Sequence, residues 1–369
     1  MKTTFIFIIV LFSCIANAEL PKKPENLSYA VGQMMMVGFH GKSVGENSPI
    51  VVAMKKYHIG GIIICDHRDP ASGKKVANFS NPEELKKLIN QLQFYAKKHH
   101  VYPLFISINQ EGGKINALNI SDPSQFELGK KSQQDIYAAT FKRALLLKDL
   151  GVNVNLAPVA DLNINPDNPA IGKLERSFGN IPKKVTEDLK TSIRAYKNAN
   201  ILCTLKHFPG LGGADKNTDH DTADLTYSWK ESELIPYRGL IKSNHVCSFI
   251  MSSHLINKNL DKSGLPASFS KLIITDLLIN EMGYTGLIIT DDMDAIAIRK
   301  NFSTRDAIAK AVLAGNDIIL YGGTQGYDPE QDTEMLFNTL LDLADNNPDV
   351  RKRVMQSYEK IVKTKNQLQ

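Results

Sequence analysis

Several features that mark common functional classes are scarce or absent in this sequence. Aromatic residues make up 8% of its 369 residues, and there is a single tryptophan. The formal charge of +5 is spread along the chain, and no block of Lys and Arg is interleaved with aromatic residues. Nucleic-acid-binding surfaces usually combine clustered positive charge with such aromatics, so we predict that no nucleic acid is a partner.

Cysteine is also scarce. Apart from Cys14 near the N-terminus, the chain has only Cys65, Cys203 and Cys247. An odd number of widely spaced cysteines is not a disulfide framework, and each of the three lies in an apolar, strand-like run. We therefore expect all three to be small buried hydrophobic residues. Because there is no CxxC pair and no cluster of His and Cys, we also predict no metal site.

Long apolar runs are missing except near the N-terminus. There an apolar run (5–12) follows a lysine and precedes Ala-Asn-Ala (16–18), the small-x-small pattern of a signal-peptidase site. We predict a signal peptide over residues 1–18, a mature domain over 19–369, and export to the periplasm or the exterior. The run is too short for a stable membrane span. Since LFSC loosely resembles a lipobox, lipidation of Cys14 is the alternative.

The remainder of the chain has no linker and no low-complexity segment, so a single domain is expected. Short apolar runs alternate with segments of helical length. The apolar runs are 34–39, 59–65, 103–108, 152–158, 201–205, 247–253, 287–290 and 317–321. One helical segment begins at 81–84, and the others cover 132–149, 183–198, 268–282, 303–314 and 348–366. Eight strands of nearly continuous hydrophobicity, alternating with helices, predict a closed (β/α)8 barrel of the TIM type. A doubly wound open sheet is the alternative, but no GxGxxG follows an early strand.

Polar residues follow many of these strands directly. They are found at 109–113, 158–161, 206–207, 253–254 and 290–292. Active sites of (β/α)8 barrels lie at the C-terminal ends of the strands, so polar residues gathered there from distant parts of the sequence indicate an enzyme.

The individual residues leave several interpretations open. Asp291, first after its strand, is a candidate nucleophile, whereas Asp292 is better explained as a helix cap. Lys206 and His207 leave one strand together and are suited to binding sugar hydroxyls or a carbonyl group. Arg176 either holds substrate or pins its loop to a carboxylate, and His254 is equally open to a structural and a catalytic interpretation.

The motifs of this chain resemble glycoside hydrolase family 3, and specifically its single-domain β-N-acetylglucosaminidases. The matching segments, in the order of the family, are VGQMMMVGFHG, NQEGGKI, GVNVNLAPVADLN, NPAIGKLERSFGN, KHFPGLG, LPASFS and GYTGLIITDDM. The resemblance implies a barrel without a cofactor that removes terminal β-linked N-acetylglucosamine, with peptidoglycan fragments as the expected substrate. It also implies a retaining double displacement with Asp291 as the nucleophile, and contacts of Arg176, Lys206 and His207 with the sugar.

Four positions depart from the family pattern. Asn109 replaces an aspartate, Lys114 and Ala117 replace arginines, and Leu211 replaces a histidine. Asn109 is still able to bind a hydroxyl group, but without the assistance of a charge. The substrate contacts of this loop are therefore expected to differ.

The acid/base position is open between two adjacent residues. The family shows Asp-Ser-His after the KHFPG loop, and an ungapped comparison places Asp219 there, whereas one inserted residue aligns His220 instead. Asp219 needs burial or a neighbouring carboxylate to raise its pKa above the usual value of about 3.9. An imidazole, with a pKa near 6.5, needs no such help.

Two other functions remain alternatives. The changes at Asn109 and in the acid/base loop are compatible with a sugar-binding relative of weak or no activity. A β-N-acetylglucosaminide phosphorylase, in which phosphate replaces water, is the second. A β-glucosidase is disfavoured because such enzymes usually carry their acid on a second domain, for which this chain has no room.

Overall fold

The structure is a computed structural model that describes residues 26–68, 75–101, 103–323 and 329–368. The predicted signal peptide and Cys14 lie outside the described residues. Eight parallel strands form one sheet, and each overlaps an apolar run of the sequence. They are β1 (Met35–Val37), β2 (Gly61–Ile63), β3 (Phe105–Ile108), β4 (Val154–Asn155), β5 (Leu202–Phe208), β6 (Phe249–Ser252), β7 (Leu287–Thr290) and β8 (Ile319–Tyr321).

The sheet closes on itself. Its strands are ordered β7-β6-β5-β4-β3-β2-β1-β8, so that each strand lies beside its neighbours in the sequence. At the seam, Ile289 forms a parallel bridge with Ile318, and the N–H of Thr290 donates to the carbonyl of Ile318 at 3.0 Å. The prediction of a (β/α)8 barrel is confirmed.

Helices surround the barrel. They are α1 (Leu27–Gln33), α2 (Pro49–Tyr57), α3 (Pro82–Lys98), α4 (Gln133–Leu150), α5 (Pro182–Asn198), α6 (Leu234–Lys242), α7 (Leu272–Glu281), α8 (Thr304–Ala314), α9 (Pro329–Asn346) and α10 (Pro348–Lys365). Short helical turns lie at Gln125–Leu128, Glu231–Glu233, Ala267–Phe269, Ile296–Arg299 and Asn366–Leu368. Hairpins Asp66–Arg68 with Lys75–Ala77 and Gln110–Gly112 with Ile115–Asn116 follow β2 and β3. No sequence pattern predicted α1, α2, α6, α9 or either hairpin.

Local signals explain where the predicted helices begin. The side chain of Asn81 accepts a hydrogen bond from the N–H of Glu84 at 3.0 Å, and Pro82 occupies the first turn of α3, where its missing N–H costs nothing. A reciprocal capping box between Ser132 and Asp135 starts α4 in the same way.

The last turn of α10 lies at the amino-terminal end of the barrel. Lys365, on this turn, is fully buried, and its Nζ donates to Oε1 of Gln33 at 2.8 Å. The same Nζ lies 5.1 Å from the ring centroid of Phe105, the first residue of β3. Burial lowers the pKa of Lys365 to about 7, because the charged form loses its hydration there.

The expectation for two of the cysteines is wrong. Cys203 and Cys247 form a disulfide, with their Cα atoms 5.0 Å apart, whereas Cys65 is buried as expected. Cys203 lies on β5 and Cys247 just precedes β6, and these two strands are paired in parallel. The spacing of 44 residues gave no signal because the contact depends on strand pairing, which cysteine counting does not include.

None of the helices in the described part of the chain is both long enough and apolar enough to cross a membrane.

Candidate active site

A pocket of about 510 Å³ opens at the C-terminal ends of the barrel strands. It is lined by most of the residues singled out in the sequence, together with Glu111. They are Asn109, Glu111, Arg176, Lys206, His207, Asp219 and Asp291. The structure thus brings together residues from β5 and from the segments that follow β3, β4, β5 and β7.

Glu111 is the anion that Arg176 and Lys206 share in this pocket. Its carboxylate accepts two hydrogen bonds from Arg176, one from Nε and one from Nη2, both 2.8 Å long. Nζ of Lys206 lies 2.7 Å from the same carboxylate, whose side chain is only 1% exposed. Burial opposes the charge on Glu111, but Arg176 and Lys206 outweigh it and lower the pKa of this carboxyl to about 2.

Lys206 connects this cluster to Asn109. Its Nζ donates to Oδ1 of Asn109 at 3.0 Å, in addition to its ion pair with Glu111. Burial lowers the pKa of Lys206, and Glu111 works against that shift. The amide of Asn109 is therefore held in place by a buried cation, at the position where the family carries a carboxylate.

His207 is held from both sides. Its Nδ1 lies 2.6 Å from Oδ2 of Asp161, and its Nε2 lies 3.2 Å from Nη2 of Arg176. The other oxygen of Asp161 accepts the backbone N–H of His207 at 3.2 Å and that of Leu211 at 2.7 Å. Asp161 thereby fixes both the imidazole and the turn that follows it.

The side chain of Glu233 joins the loops that follow β4 and β5. Its buried carboxyl accepts the N–H of Gly212 at 2.7 Å and that of Leu162 at 2.8 Å. Burial, together with the charge of Asp161, raises the pKa of Glu233 well above its usual value. Gly210 is required here, since its φ is 119° and a Cβ at this position would lie 2.4 Å from Cβ of Glu233.

Asp291 is the first residue after β7. Its N–H donates to the carbonyl of Ser252 at 2.9 Å, and its Oδ1 accepts the N–H of Asp292 at 2.9 Å. Burial opposes its ionisation, but His207, His254, the N–H of Asp292 and Lys206 together lower the pKa of Asp291. The carboxyl group is therefore stabilised as an anion, the form that a nucleophile needs.

Asp292 has a different role from the helix cap expected for it. The short helix Ile296–Arg299 is preceded by Ala295 as its N-cap. Oδ1 of Asp292 instead accepts the N–H of Asp294 at 3.0 Å and that of Gly322 at 2.9 Å. Asp292 thus joins the turn after β7 to the residues after β8.

The structure separates the two candidates for the acid/base position. Asp219 lines the pocket, whereas His220 is exposed and lies outside the pocket wall. Burial raises the pKa of Asp219, and the charge of Asp291 raises it further, although Arg176 and two imidazoles oppose the shift.

Backbone hydrogen bonds fix the loop that carries Asp219. The N–H of Ile296 donates to the carbonyl of Asp219, and the N–H of Ala297 donates to that of Thr218, both at 3.2 Å. The loop after β5 is therefore attached to the segment that follows Asp291.

The other departures from the family pattern lie at the pocket wall. Lys114, Ala117 and Leu211 all line the pocket. Nζ of Lys114 donates to the carbonyl of Lys173 at 2.7 Å, and the side chain of Lys114 is 53% exposed. Lys114 thus joins the hairpin after β3 to the loop that contains Arg176, and its ammonium remains at the mouth of the pocket.

No role was predicted from the sequence for Glu111, Asp161 or Glu233. Glu111 and Asp161 lie among the polar residues that follow predicted strands, so their position was the available signal. The role of each depends on partners that are distant in the sequence, and Glu233 lies in a short turn with no distinctive pattern. Within the residues that the structure describes, no group of three His, Cys, Asp or Glu residues is placed to hold a metal ion.

Comparisons with known proteins agree with this architecture. A model of the glycosyl hydrolase family 3 N-terminal domain matches residues 26–364. Beta-hexosaminidase A of Pseudoalteromonas piscicida is 32% identical over 350 residues, which cover 84% of this chain and 56% of that protein. The chain therefore spans little more than half the length of that relative. A secreted glycosyl hydrolase of Arthroderma benhamiae is 30% identical over 86% of this chain and 89% of its own length.

A solved structure shows the same fold. The glycoside hydrolase family 3 beta-N-acetylglucosaminidase from Paenibacillus sp. str. FPU-7 superposes with a TM-score of 0.82 and 27% identity, covering 94% of this chain and 64% of that one. The family model covers nearly all of the described chain, and the barrel carries its polar pocket where the motifs predict it. This chain belongs to glycosyl hydrolase family 3.

Proposed function

We propose that this protein is an exported glycosidase that removes terminal β-linked N-acetylglucosamine by a retaining double displacement. One observation carries the proposal: two carboxyl groups, Asp291 and Asp219, line one pocket, and their surroundings shift their pKa values in opposite directions. Such a pair supplies an anionic nucleophile and a protonated acid at the same pH.

In the first step, Asp291 attacks the anomeric carbon of the sugar. A bond forms between a carboxylate oxygen of Asp291 and this carbon while the glycosidic C–O bond breaks. The proton of Asp219 passes to the departing oxygen, so that the aglycone leaves as a neutral alcohol. The transition state resembles an oxocarbenium ion, which the negative charge of Asp291 stabilises.

In the second step, the ionised Asp219 accepts a proton from water. The water oxygen bonds to the anomeric carbon, the bond to Asp291 breaks, and the sugar leaves with its original configuration. Formation of the covalent intermediate neutralises Asp291, and this removes the charge that raises the pKa of Asp219. The same carboxyl group is thereby able to act first as an acid and then as a base.

The sugar would be bound by the polar side chains at the bottom of the pocket. We assign this role to Asn109, Arg176, Lys206 and His207, all of which line it. Arginine and lysine donors are able to hold several hydroxyl oxygens in a fixed geometry. A concave pocket, unlike an open cleft, suits removal of a terminal residue, and both the Pseudoalteromonas and the Paenibacillus proteins are named for action on hexosaminides.

Export is supported by two observations. Disulfides persist chiefly in oxidising compartments, and this chain has one between Cys203 and Cys247. The relative from Arthroderma benhamiae is named a secreted hydrolase. For an exported enzyme of this specificity, peptidoglycan fragments are the substrate we propose, to be tested by mass spectrometry of muropeptides before and after incubation.

Hydrolysis of an aryl β-N-acetylglucosaminide by wild type and by Asp291→Ala tests the proposal. We expect turnover by wild type, loss of at least about a thousandfold in the variant, and β-configured sugar as the first product by NMR. Asp215→Ala, which changes an exposed aspartate in the loop after β5, is the matched control. Wild type that binds N-acetylglucosamine without turnover would establish a sugar-binding relative instead, and a sugar 1-phosphate formed only with phosphate would establish a phosphorylase.

A further inference from the structure

We propose that His254 is a positioning residue that holds the turn carrying Asp291 in its reactive orientation. This inference rests on the proposed function, because it assumes that Asp291 is the nucleophile. His254 follows β6, is fully buried, and lies behind the pocket wall rather than in it. It would act on the reaction only through the backbone that it contacts.

Both nitrogens of the His254 ring have a partner. Nε2 lies 3.0 Å from the carbonyl oxygen of Asp292, and Nδ1 lies 2.8 Å from Oγ of Ser268. A carbonyl oxygen only accepts, so Nε2 carries the proton and donates it. In a neutral ring Nδ1 is then the acceptor, and the hydroxyl of Ser268 donates to it.

Ser268 is itself fixed, which fixes the ring. Its N–H donates to the carbonyl of Ser253 at 2.8 Å, and its carbonyl accepts Nδ2 of Asn316 at 2.8 Å. The imidazole is thus oriented by residues after β6 and before β8. It cannot rotate away from Asp292 without leaving a buried polar group unpaired, which costs about 1–3 kcal/mol.

The carbonyl that His254 binds belongs to the peptide unit following the one that orients the nucleophile. The N–H of Asp292 donates to Oδ1 of Asp291 at 2.9 Å, and Oδ1 of Asp292 accepts the N–H of Gly322. Asp292 is therefore held at its carbonyl by His254, at its side chain by Gly322, and at its N–H by Asp291. Removing the first of these contacts frees the turn that sets the direction of the Asp291 carboxylate.

The electrostatic effect of His254 acts in the same direction. Burial opposes the charge on Asp291, and His207 and His254 are the largest of the effects that lower the pKa of Asp291. Burial also lowers the pKa of His254, with the charges of Asp291 and Asp219 opposing that shift. A protonated ring attracts the carboxylate of Asp291, so these two groups favour each other's charged forms, and in the neutral ring the hydrogen bond to the carbonyl of Asp292 remains.

Three variants separate positioning from simple filling of space. His254→Phe keeps a buried ring and removes both hydrogen bonds, His254→Gln is able to restore a donor and an acceptor, and Ser268→Ala removes only the hydroxyl. The exposed His245→Gln is the matched control. For each protein we would measure kcat and KM on an aryl β-N-acetylglucosaminide, N-acetylglucosamine binding by calorimetry, labelling by a 5-fluoro glycosyl trap, and Tm.

We expect His254→Phe to lower kcat and the rate of trap labelling by about 10- to 100-fold, with KM and N-acetylglucosamine affinity near those of wild type. The acid limb of its kcat/KM profile should move to higher pH, because the carboxyl of Asp291 loses one stabilising neighbour. All of these variants retain Lys206, His207 and Asp219, the other charged groups near Asp291. A shift of the acid limb between variants therefore reports the effect of His254. His254→Gln should recover most of the rate, and Ser268→Ala should fall between them.

Two results would overturn this inference without affecting the proposed function. In the first, His254→Phe keeps the kcat of wild type and its acid limb does not move. In the second, His254→Phe loses rate only to the extent that it also loses sugar binding and has a lower Tm. Failure of His254→Gln to exceed His254→Phe would also count against it. Wild type without turnover would overturn the proposed function, and this inference with it.

Discussion

Arg176 binds Glu111 through two parallel hydrogen bonds, each 2.8 Å long, in a place where the carboxylate is almost completely buried. A bidentate pair of this kind fixes both distance and plane, so Glu111 determines how the guanidinium is presented to the pocket. Lys206 shares the same carboxylate. One buried anion therefore orders two cations that we assign to sugar binding.

Replacing Glu111 by Gln should impair both stability and binding. The change leaves Arg176 and Lys206 close together without an anion between them, and breaking a buried ion pair from one side costs about 3–5 kcal/mol. We expect a lower Tm, together with a kcat/KM reduced mainly through KM. Glu175→Gln, at a carboxylate that is 42% exposed, is the control and should leave both near wild type. An active Glu111→Gln with unchanged Tm would show that this carboxylate does not organise the site.

Asp219→Asn should change the pH profile of kcat/KM, whereas His220→Gln should not. Asp219 must be protonated in the first step, and its pKa is raised, so its ionisation should produce the alkaline limb of kcat/KM. Asp291 must be ionised, and its pKa is lowered, so the acid limb lies at low pH. We expect Asp219→Asn to lose the alkaline limb and about 10²–10⁴ in rate on a poor leaving group.

His220→Gln, in contrast, should keep both limbs, because the residue is exposed and outside the pocket wall. The comparison requires an alkyl glycoside, since an activated aryl leaving group needs little protonation. Loss of the alkaline limb in His220→Gln and its retention in Asp219→Asn would reverse the assignment.

The disulfide should contribute measurably to stability. A cross-link of this loop length is expected to contribute about 3–4 kcal/mol, so the free energy of unfolding of Cys203→Ala/Cys247→Ala, measured by denaturant titration, should be lower than that of wild type by that amount. Reductant should destabilise wild type and leave the double variant unchanged, which provides the control within one experiment. Thiol titration of the unfolded protein should find two fewer thiols before reduction than after it, and an equal number would contradict the bond.

Lys365 should make stability depend on pH in the neutral to alkaline range. Its pKa is about 7 in the folded protein and near 10.5 when unfolded, so between these values the unfolded state binds more protons. The free energy of unfolding should therefore rise with pH from about 7 to 10, by at most about 1.4 kcal/mol per pH unit. Below pH 7 both states are protonated, and this contribution is at its least favourable.

Lys365→Met should remove that slope and should be at least as stable as wild type at pH 6, measured by denaturant titration at several pH values. Lys363→Met, an exposed lysine on the same helix, should leave the slope unchanged. An identical pH dependence in Lys365→Met and wild type would contradict the burial of this charge.

The barrel was predictable because its strands are covered on both faces, which leaves continuous apolar runs such as those around Ile106 and Ile288. The strand ends then located the pocket, and Asp291, Lys206 and His207 followed from their position. What the sequence did not reveal depends on contacts between strands or loops. The pairing of Cys203 with Cys247 needs the strand neighbours, and the roles of Glu111 and Asp161 appear only beside their distant partners.

The same limit applies to elements with weak local signals. Helix α1 has seven residues, and its N-terminal cap, Asn26, is the only strong cue to it. Lys365 lies in an otherwise charged helical segment, so nothing in its neighbours indicates burial. The sequence left Asp219 and His220 open because they differ by an alignment shift of one residue, and only the structure shows that Asp219 lines the pocket whereas His220 does not.

The two backbone hydrogen bonds from Ile296 and Ala297 to the Thr218–Asp219 segment bear on how this site tolerates change. They join the loops of the two carboxyl groups that we propose to react, and they use only main-chain atoms. The loop is less tolerant at Gly213, where a Cβ would lie 2.6 Å from the carbonyl oxygen of Ser228, and at Asn217, whose Oδ1 accepts the N–H of Asp219 at 3.0 Å. A protein engineer could therefore vary the exposed residues 215 and 216 to change the aglycone accepted while keeping the two carboxyl groups at their present spacing.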